Sequence, residues 1–421
     1  MKKTTETEKF GINHSDEETR LTIAGKIPII QGLTDNDLYK FSMQQGVLLG
    51  MTPDGSCKFI DLDTEYSFTD RRVTKYPKGF AEAVRRQVQL MANLSLQPWE
   101  FNGFKKMPWF KRNYLDFLLG YRYAPSEVLI TQKNNKLKIT IRGPWYRTIL
   151  WEVPLLAIVS QLYFQMTGQK ADENIFQRNL KRKTKKFNYL AVPLTDFGTR
   201  RRYSFKTQEA MVRYLNDNCT CFVGTSNVYL AFKYGLRAIG THAHEWFMAH
   251  QAMFGTRLAN KTGLESWVRI YDGSLGTALT DTFTSDSFFE AFGNRLARLF
   301  DSVRHDSGDP IEFGEKAIKH WQTHSIDPLS KTIIFSDGLD DKIATTIANH
   351  FKGKTKIAWG IGTFLSNDVG VTPLSIVIKL SRCQLLPNGR WIDVVKLSDN
   401  PEKHSGKKKA IAHAKYELGI K

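Results

Sequence analysis

Two histidines and a carboxylate follow one another in Ile239-Gly240-Thr241-His242-Ala243-His244-Glu245-Trp246, directly after a short apolar run that ends in Gly-Thr. A buried strand that breaks in this way delivers several polar groups to one place. Imidazole is the side chain most readily recruited for nucleophilic or proton-transfer work near neutral pH, so His242 and His244 are the leading candidates for chemistry. A histidine pair taken alone is more often structural or exposed, and spacing does not separate the two rings. Company strengthens the functional reading. Arg304-His305-Asp306-Ser307-Gly308-Asp309, Ser336-Asp337-Gly338-Leu339-Asp340 and Gly360-Ile361-Gly362-Thr363 also lie where apolar runs give way to polar and glycine residues.

Carboxylates, an arginine, a threonine hydroxyl and glycine turns on one face would suit a phosphorylated sugar. The amides of Gly338, Gly360 and Gly362 can approach phosphate closely because glycine has no Cβ. Carboxylates would hold ribose hydroxyls or a magnesium ion carried by a diphosphate. Asp196-Phe197-Gly198 runs directly into Thr199-Arg200-Arg201-Arg202, and the planar fork of arginine suits phosphate or carboxylate, so a small polyanion is a candidate partner of Arg200 and its neighbours. The chain has neither a Gly-x-x-x-x-Gly-Lys-Ser/Thr loop nor His-Glu-x-x-His, which argues against a P-loop nucleotidase and a zinc protease.

The elements that must position these groups alternate most clearly in the second half. Apolar runs at 275–280, 299–303, 332–335, 356–359 and 374–378 recur, and helical patterns over 286–298, 310–322 and 340–350 follow the first three. That rhythm predicts parallel βα units in a barrel or an open sheet, with functional side chains at the carboxyl ends of the strands. Asp281, Arg304, Asp306, Asp337 and Thr363 all fall at such ends. The first half mixes classes: an N-capping pattern at Thr34-Asp35-Asn36-Asp37 opens an amphipathic helix, 58–61 and 65–68 read as extended, 80–94 as a helix and 136–142 as a strand. Residues 148–165, apolar around Pro154, read as a buried core helix. Residues 1–27 read as a loosely held polar arm.

Length and composition bound the rest. A chain of 421 residues exceeds what one core fills, so two domains are expected. No run of about 18 uncharged apolar residues predicts a membrane span, and the polar start lacks the apolar segment of a secretory signal. Cys57, Cys219, Cys221 and Cys383 contain no Cys-x-x-Cys pair, and Cys219-Thr220-Cys221 is too short for a zinc knuckle, so a reduced, cytoplasmic protein is expected. The formal charge of +18 raises a basic RNA-binding protein as a rival of another class. Its basic residues are spread along the chain and no nucleic-acid-binding signature is present, so the lysine-rich runs read as solvated faces.

Six separated stretches in one order carry a family resemblance: Thr34 to Lys40, Asp196 to Arg202, Phe222-Val223-Gly224-Thr225-Ser226-Asn227, Gly240 to Trp246, Arg304 to Asp309 and Gly360 to Thr363. From about Leu33 onward the chain resembles the nicotinate phosphoribosyltransferases of the bacterial and fungal branch. The arm before Leu33 lies outside the match, and the strong basicity is not a family trait. The resemblance implies a type II phosphoribosyltransferase of α/β class: an irregular βα barrel over 151–381, a second α/β domain over 33–150 on which 382–421 packs, and a polar arm over 1–32. It implies a homodimer with shared sites. The implied reaction joins nicotinate to 5-phosphoribosyl 1-diphosphate, coupled to ATP hydrolysis through a transient phosphohistidine at His244, with Mg2+ carried by the diphosphate and ATP rather than bound by the protein directly.

On the same grounds Phe197 stacks on the pyridine, Thr241 hydrogen-bonds it, Arg304 meets its carboxylate or a nearby phosphate, and Tyr39 is a ring contributed by the partner subunit. Asp281, Asp306 and Asp337 manage ribose, magnesium and the imidazole, while Gly362 and Thr363 take the 5′-phosphate. Nicotinamide phosphoribosyltransferase is the nearest rival. In those enzymes an aspartate follows Gly-Thr and would repel nicotinate, whereas Ser226 stands here and can donate to a carboxylate. Ser226 also reads as a helix N-cap. Quinolinate phosphoribosyltransferase is disfavoured by the length of the chain and by the histidine motif.

Overall fold

In the computed structural model, residues 11–50 and 60–420 are described. The strands in chain order are β1 (Asp63–Asp70), β2 (Val128–Lys133), β3 (Lys136–Pro144), β4 (Leu194–Asp196), β5 (Phe222–Thr225), β6 (Thr277–Leu279), β7 (Ser302–His305), β8 (Thr332–Phe335), β9 (Lys356–Ile361), β10 (Ile376–Gln384) and β11 (Trp391–Asp393). They form two sheets. One is antiparallel in the order β11-β10-β1-β3-β2, and the other parallel in the order β5-β4-β9-β8-β7-β6. This is the mixed α/β architecture of a type II phosphoribosyltransferase, an irregular parallel barrel beside a second α/β unit.

The parallel strands are short and sheathed on both sides, so they read as apolar runs rather than alternating patterns. Ala278, Val303, Ile333, Phe335 and Trp359 are all buried. Helices follow them with well-spaced apolar faces: Phe313, Ala317 and Trp321 on Pro310–Thr323, and Ala344, Ile347 and Phe351 on Asp341–Phe351. Asp309 and Asp340 cap these helices through their first amides, which starts each one immediately after a polar loop.

β5 and β6 are the two ends of the parallel sheet, and the histidine-bearing segment fills the space between them. Thr225 exchanges backbone hydrogen bonds with Arg237 and Ile239 at 3.2 and 3.0 Å, and Thr241 Oγ1 donates to the Thr277 carbonyl at 3.0 Å. The first approach is so close that a Cβ on Gly224 would stand 2.1 Å from the Arg237 oxygen. The run before His242 is therefore an irregular closing stave of the barrel, and the helix His244–Phe254 begins at its end.

Several expectations change. The run at 374–378 belongs to β10, which pairs antiparallel with β1, because its carboxyl-terminal continuation carries it into the other sheet; a boundary at residue 381 would fall inside that strand. The arm is not loosely held over its described part: Asp16–Ile23 is a helix with a Ser15/Glu18 capping box, and Gln87 holds the carbonyls of Thr22 and Ile27 at 2.7 and 2.9 Å. The pattern over 286–298 is two helices, Ser285–Ala291 and Asn294–Leu299, with Gly293 as the N-cap of the second. Residues 58 and 59 of the first extended stretch lie outside the described residues, and 60–62 are not strand. The apolar helix Glu152–Thr167 is a core helix, sheathed by the protein along nearly its whole length.

Arg202 sits wholly inside, its two guanidinium nitrogens 2.7 and 2.8 Å from the two carboxylate oxygens of Asp35. The end of the arginine run is thus structural, joining the loop after β4 to the segment ahead of the helix Leu38–Leu49. Removing one partner of such a pair leaves an uncompensated buried charge. Arg202→Met should lower unfolding stability by about 3–5 kcal/mol in urea titration. A loss below about 1 kcal/mol would show that Asp35 is relieved by other groups.

Candidate functional site

A cavity of about 620 Å³ opens at the carboxyl ends of the parallel strands and is roofed by the antiparallel sheet. β4 delivers Phe197, β5 Ser226, β7 Arg304 and Asp306, β8 Asp337 and Gly338, and β9 Gly362 and Thr363. The closing stave adds Thr241, His242 and His244. Tyr39, Arg200 and Arg304 line the same cavity within one chain. The N-terminal segment folds over the barrel of that chain, where Leu38 N donates to the Ser226 carbonyl at 2.8 Å and anchors the start of the helix that carries Tyr39. Asp281 stands behind the cavity wall rather than on it.

The chemistry-bearing groups form one hydrogen-bonded chain. Arg304 donates from Nη2 to Asp306 Oδ1 at 2.9 Å and from Nε to Ser336 Oγ at 2.8 Å, and its guanidinium lies 5.3 Å from the centre of the Phe197 ring. Gly360 makes that ring position possible, since a Cβ there would meet Phe197 at 2.3 Å. The second oxygen of Asp306 contacts His244 Nε2 at 3.1 Å, and Nδ1 of the same ring lies 3.1 Å from Thr282 Oγ1. Asp281 Oδ1 is 3.9 Å from Nε2, while its Oδ2 takes Lys396 at 2.9 Å and the Ser307 hydroxyl at 2.6 Å.

Burial, reinforced by Lys396 and opposed by Asp281 and Asp306, lowers His244 to about 4. Its contact with Asp306 is then a hydrogen bond from a neutral ring, not an ion pair. Burial would raise Asp306, but Arg304 and the His244 hydrogen bond hold it well below the usual range, and burial of Asp281 is likewise overcome by Lys396 and His244. His242 plays a different part. Its ring packs edge-on against Phe247 and Trp267 at 5.1 and 4.8 Å, its nitrogens have no hydrogen-bond partner among the described residues, and burial lowers it to about 3. The stave is what separates two rings that sequence spacing left equivalent.

Ser226 and Thr241 are both present, with their protons already placed: Ser226 Oγ donates to Asp37 Oδ1 at 2.8 Å and Thr241 Oγ1 to a backbone carbonyl. Ser226 is not the helix cap either. Asn227 caps Val228–Lys233. Asp37, taken from sequence as part of a capping pattern, makes no cap hydrogen bond and instead faces the cavity, where burial raises its carboxyl against the pull of Arg200.

Sequence reasoning missed a set of cations. Arg71 after β1, Lys379 on β10, and Lys396 and Lys403 beyond β11 line the cavity together with Arg201. Lys403 bonds Asp337, and burial together with Arg200 and Lys396 pulls Lys379 down to about 8 against Glu152. Alternation along β10 could have marked Lys379 as a residue of one face, but not which face. Lys40 was missed as well: fully buried, it meets Glu152 Oε2 at 2.6 Å and also Glu245, and Glu152 passes its other oxygen to Arg200 at 3.3 Å. His244, Asp281 and Asp306 lie close enough to share a cation. Lys396 and Arg304 already neutralise the two carboxylates, so this trio fits a positioned histidine better than a protein-held metal.

Comparison with known proteins is consistent across the chain. Residues 192–420 match the nicotinate phosphoribosyltransferase (NAPRTase) family and residues 34–160 its N-terminal domain. A nicotinate phosphoribosyltransferase of Desulforapulum autotrophicum is 46% identical, covering 91% of this chain and 98% of its own, and one of Chromohalobacter salexigens is 44% identical, covering 93% and 99%. The crystal structure of the Porphyromonas gingivalis nicotinate phosphoribosyltransferase superposes with a TM-score of 0.88 at 39% identity, covering 93% of this chain and all of that one; for the Vibrio cholerae protein the values are 0.86 and 34%, covering 94% of each.

Two outcomes follow from this geometry. Because Tyr39 and Arg304 line one cavity within one chain, mixing Tyr39→Ala with Arg304→Ala subunits tests whether both act in that chain: no recovery is then expected, and recovery above the sum of the two would place Tyr39 in trans. The second concerns pH. His242 binds a proton in the unfolded chain near 6.5 and refuses it when folded until about 3, so stability is intact above 6.5 and is lost as pH falls below it. Each such group contributes up to about 1.4 kcal/mol per pH unit. His242→Phe, which keeps the edge-on packing, should shrink the stability difference between pH 7 and pH 5 by about 2 kcal/mol in denaturant titrations. An unchanged difference would mean that His242 is solvated or charged.

Proposed function

This chain belongs to the nicotinate phosphoribosyltransferase family, an enzyme family of NAD biosynthesis, and from that premise we propose that its cavity couples ribosyl transfer to ATP through a transient phosphohistidine at His244. The reaction joins nicotinate to 5-phosphoribosyl 1-diphosphate and releases diphosphate. The observation that carries the coupling is the Arg304–Asp306–His244 chain, which ends on a neutral imidazole in the same cavity as the aromatic and cationic groups.

Phe197 and Tyr39 supply aromatic faces for the pyridine, and Arg304 and Arg200 supply positive charge for its carboxylate. The pyridine nitrogen attacks the anomeric carbon as the diphosphate bond breaks, and positive charge develops on the ribose ring. Asp306 and Asp337 stabilise that charge, while Lys379, Lys396, Arg71 and Arg201 hold the departing diphosphate, whose Mg2+ would arrive with the substrates. Gly362 and Thr363 take the 5′-phosphate. Asp281 acts from behind the wall by holding Lys396 and the imidazole.

At His244, donation of Nε2–H to Asp306 leaves the lone pair on Nδ1, where it accepts from the Thr282 hydroxyl. Once that hydroxyl turns away, Nδ1 attacks the terminal phosphorus of ATP, ADP departs, and Asp306 holds the positive charge that forms on the ring. The added phosphate changes the charge facing the sugar diphosphate, and its later hydrolysis draws the equilibrium toward product. The free thiols of Cys219, Cys221 and Cys383 fit a cytoplasmic enzyme.

His244→Ala should abolish ATP hydrolysis and acid-labile phosphate incorporation while leaving slow, ATP-independent transfer; label retained on the variant would move the phosphate elsewhere. Ser226→Asp should raise the nicotinate KM at least tenfold and the nicotinamide KM much less, with Ser226→Ala as the packing control. Two like charges about 4 Å apart cost about 4 kcal/mol at an effective dielectric of 20, and Asp37 beside the new carboxyl will keep part of that charge protonated. Unchanged nicotinate kinetics in a folded Ser226→Asp enzyme would remove this position from the pyridine pocket.

A further inference from the structure

Cys219-Thr220-Cys221 takes no part in the reaction above, yet it is built into the foot of the barrel. The two sulfurs lie 3.4 Å apart, with Cys219 buried and Cys221 half-buried. The loop between them is held rather than loose: Asn188 Oδ1 accepts from the Thr220 amide at 2.8 Å and from its hydroxyl at 3.1 Å, and the Cys221 carbonyl accepts from Leu194 N at 2.8 Å. Leu194 opens β4 and Phe222 opens β5. Three and four residues later, just past the ends of those strands, stand Phe197 and Ser226, so at about 3.3 Å per residue the strands span roughly 10–13 Å between their starts beside the thiols and the pyridine pocket.

We propose that Cys219 and Cys221 form a dithiol redox site, which a hydroperoxide closes to an intramolecular disulfide, shifting the amino ends of β4 and β5 and through them the pyridine pocket. A shared S–H···S contact lets one sulfur ionise against the other's proton, and the hydrogen bond from Cys221 holds the Cys219 thiol below its usual range. One sulfur, as thiolate, attacks the peroxide and cleaves its O–O bond, giving a sulfenic acid. The other thiol attacks that sulfenic sulfur and expels water. Two thiols lose two hydrogens in all, and hydrogen peroxide is reduced to two waters. Closing the sulfurs from 3.4 Å to about 2.0 Å draws together Cys219, whose amide donates to the Leu215 carbonyl, and Cys221, whose carbonyl accepts from Leu194 N, and so pulls on the backbone between them. A ring spanning one intervening residue is strained, which makes it readily reducible by a dithiol.

The full chain treated with hydrogen peroxide, then alkylated and digested with trypsin, reads this directly, because the peptide following Arg213 and ending at Lys233 contains both cysteines. Expected is a loss of two hydrogens in that peptide while Cys383 remains a thiol, with a rise of threefold or more in the nicotinate KM that dithiothreitol reverses. Cys221→Ser should keep the untreated KM and lose the peroxide response. The proposal is overturned if the peptide keeps both thiols or gains oxygens without losing two hydrogens, if the disulfide forms and the KM is unchanged, or if Cys221→Ser responds to peroxide as the parent does.

Discussion

A single buried ammonium ties the working parts of this molecule together. Lys40 is fully enclosed between Glu152, at the start of the central core helix, and Glu245, which follows His244 at the start of the helix behind the cavity. Its own helix carries Tyr39 into the site, and Glu152 reaches Arg200. A buried ion network of this kind contributes little stability over apolar packing of the same volume, because desolvation offsets most of the Coulomb attraction. What it imposes is geometry. A charge that cannot be left unpaired allows one arrangement of three helices, and in that arrangement an aromatic ring, an arginine and a histidine face one cavity. Asp35 with Arg202 repeats the device one step away, between the same N-terminal segment and the loop after β4.

The cavity then handles charge by opposing terms of similar size. Burial would protonate Asp306 and Asp281, and the neighbouring Arg304 and Lys396 keep them ionised; the same burial, with Lys396 beside it, keeps His244 neutral. Lys379, crowded by Arg200 and Lys396, is lowered until Glu152 checks the effect. Cations gathered this tightly repel one another when nothing is bound, so anionic substrates relieve the strain on arrival. That requirement accounts for part of the basic character of the chain, and the lysines of the helix Glu173–Leu190 account for more as a largely solvated face.

Much was legible in the chain itself. Apolar runs followed by helical patterns marked β6, β7 and β8, since each parallel strand is buried on both faces and must be continuous in apolarity. Polar groups and glycines at the ends of those runs marked Arg304, Asp306, Asp337 and Gly362, because strand ends are where backbone leaves the core. The motif Gly-Thr-His-Ala-His-Glu marked one wall of the cavity, and six ordered stretches named the family.

Tertiary structure decided what local pattern could not carry. His242 and His244 differ by two positions in sequence, and only the path of the closing stave turns one ring into an aromatic cage and the other onto Asp306. Thr34 to Asp37 read as a capping run, yet Asp35 and Asp37 serve Arg202 and Ser226, partners more than 160 residues away that no local rule can anticipate. Arg200 and Arg202 are near neighbours in one basic run, and the fold sends one to the cavity and the other into the core. Lys379, Lys396 and Lys403 enter the site only because β10 pairs with β1 and returns the C-terminal segment to the barrel mouth. Residue types and periodicity set which chemistry was possible, since they are properties of single segments; pairing between distant strands set which side chains perform it, since facing and distance are properties of the folded whole.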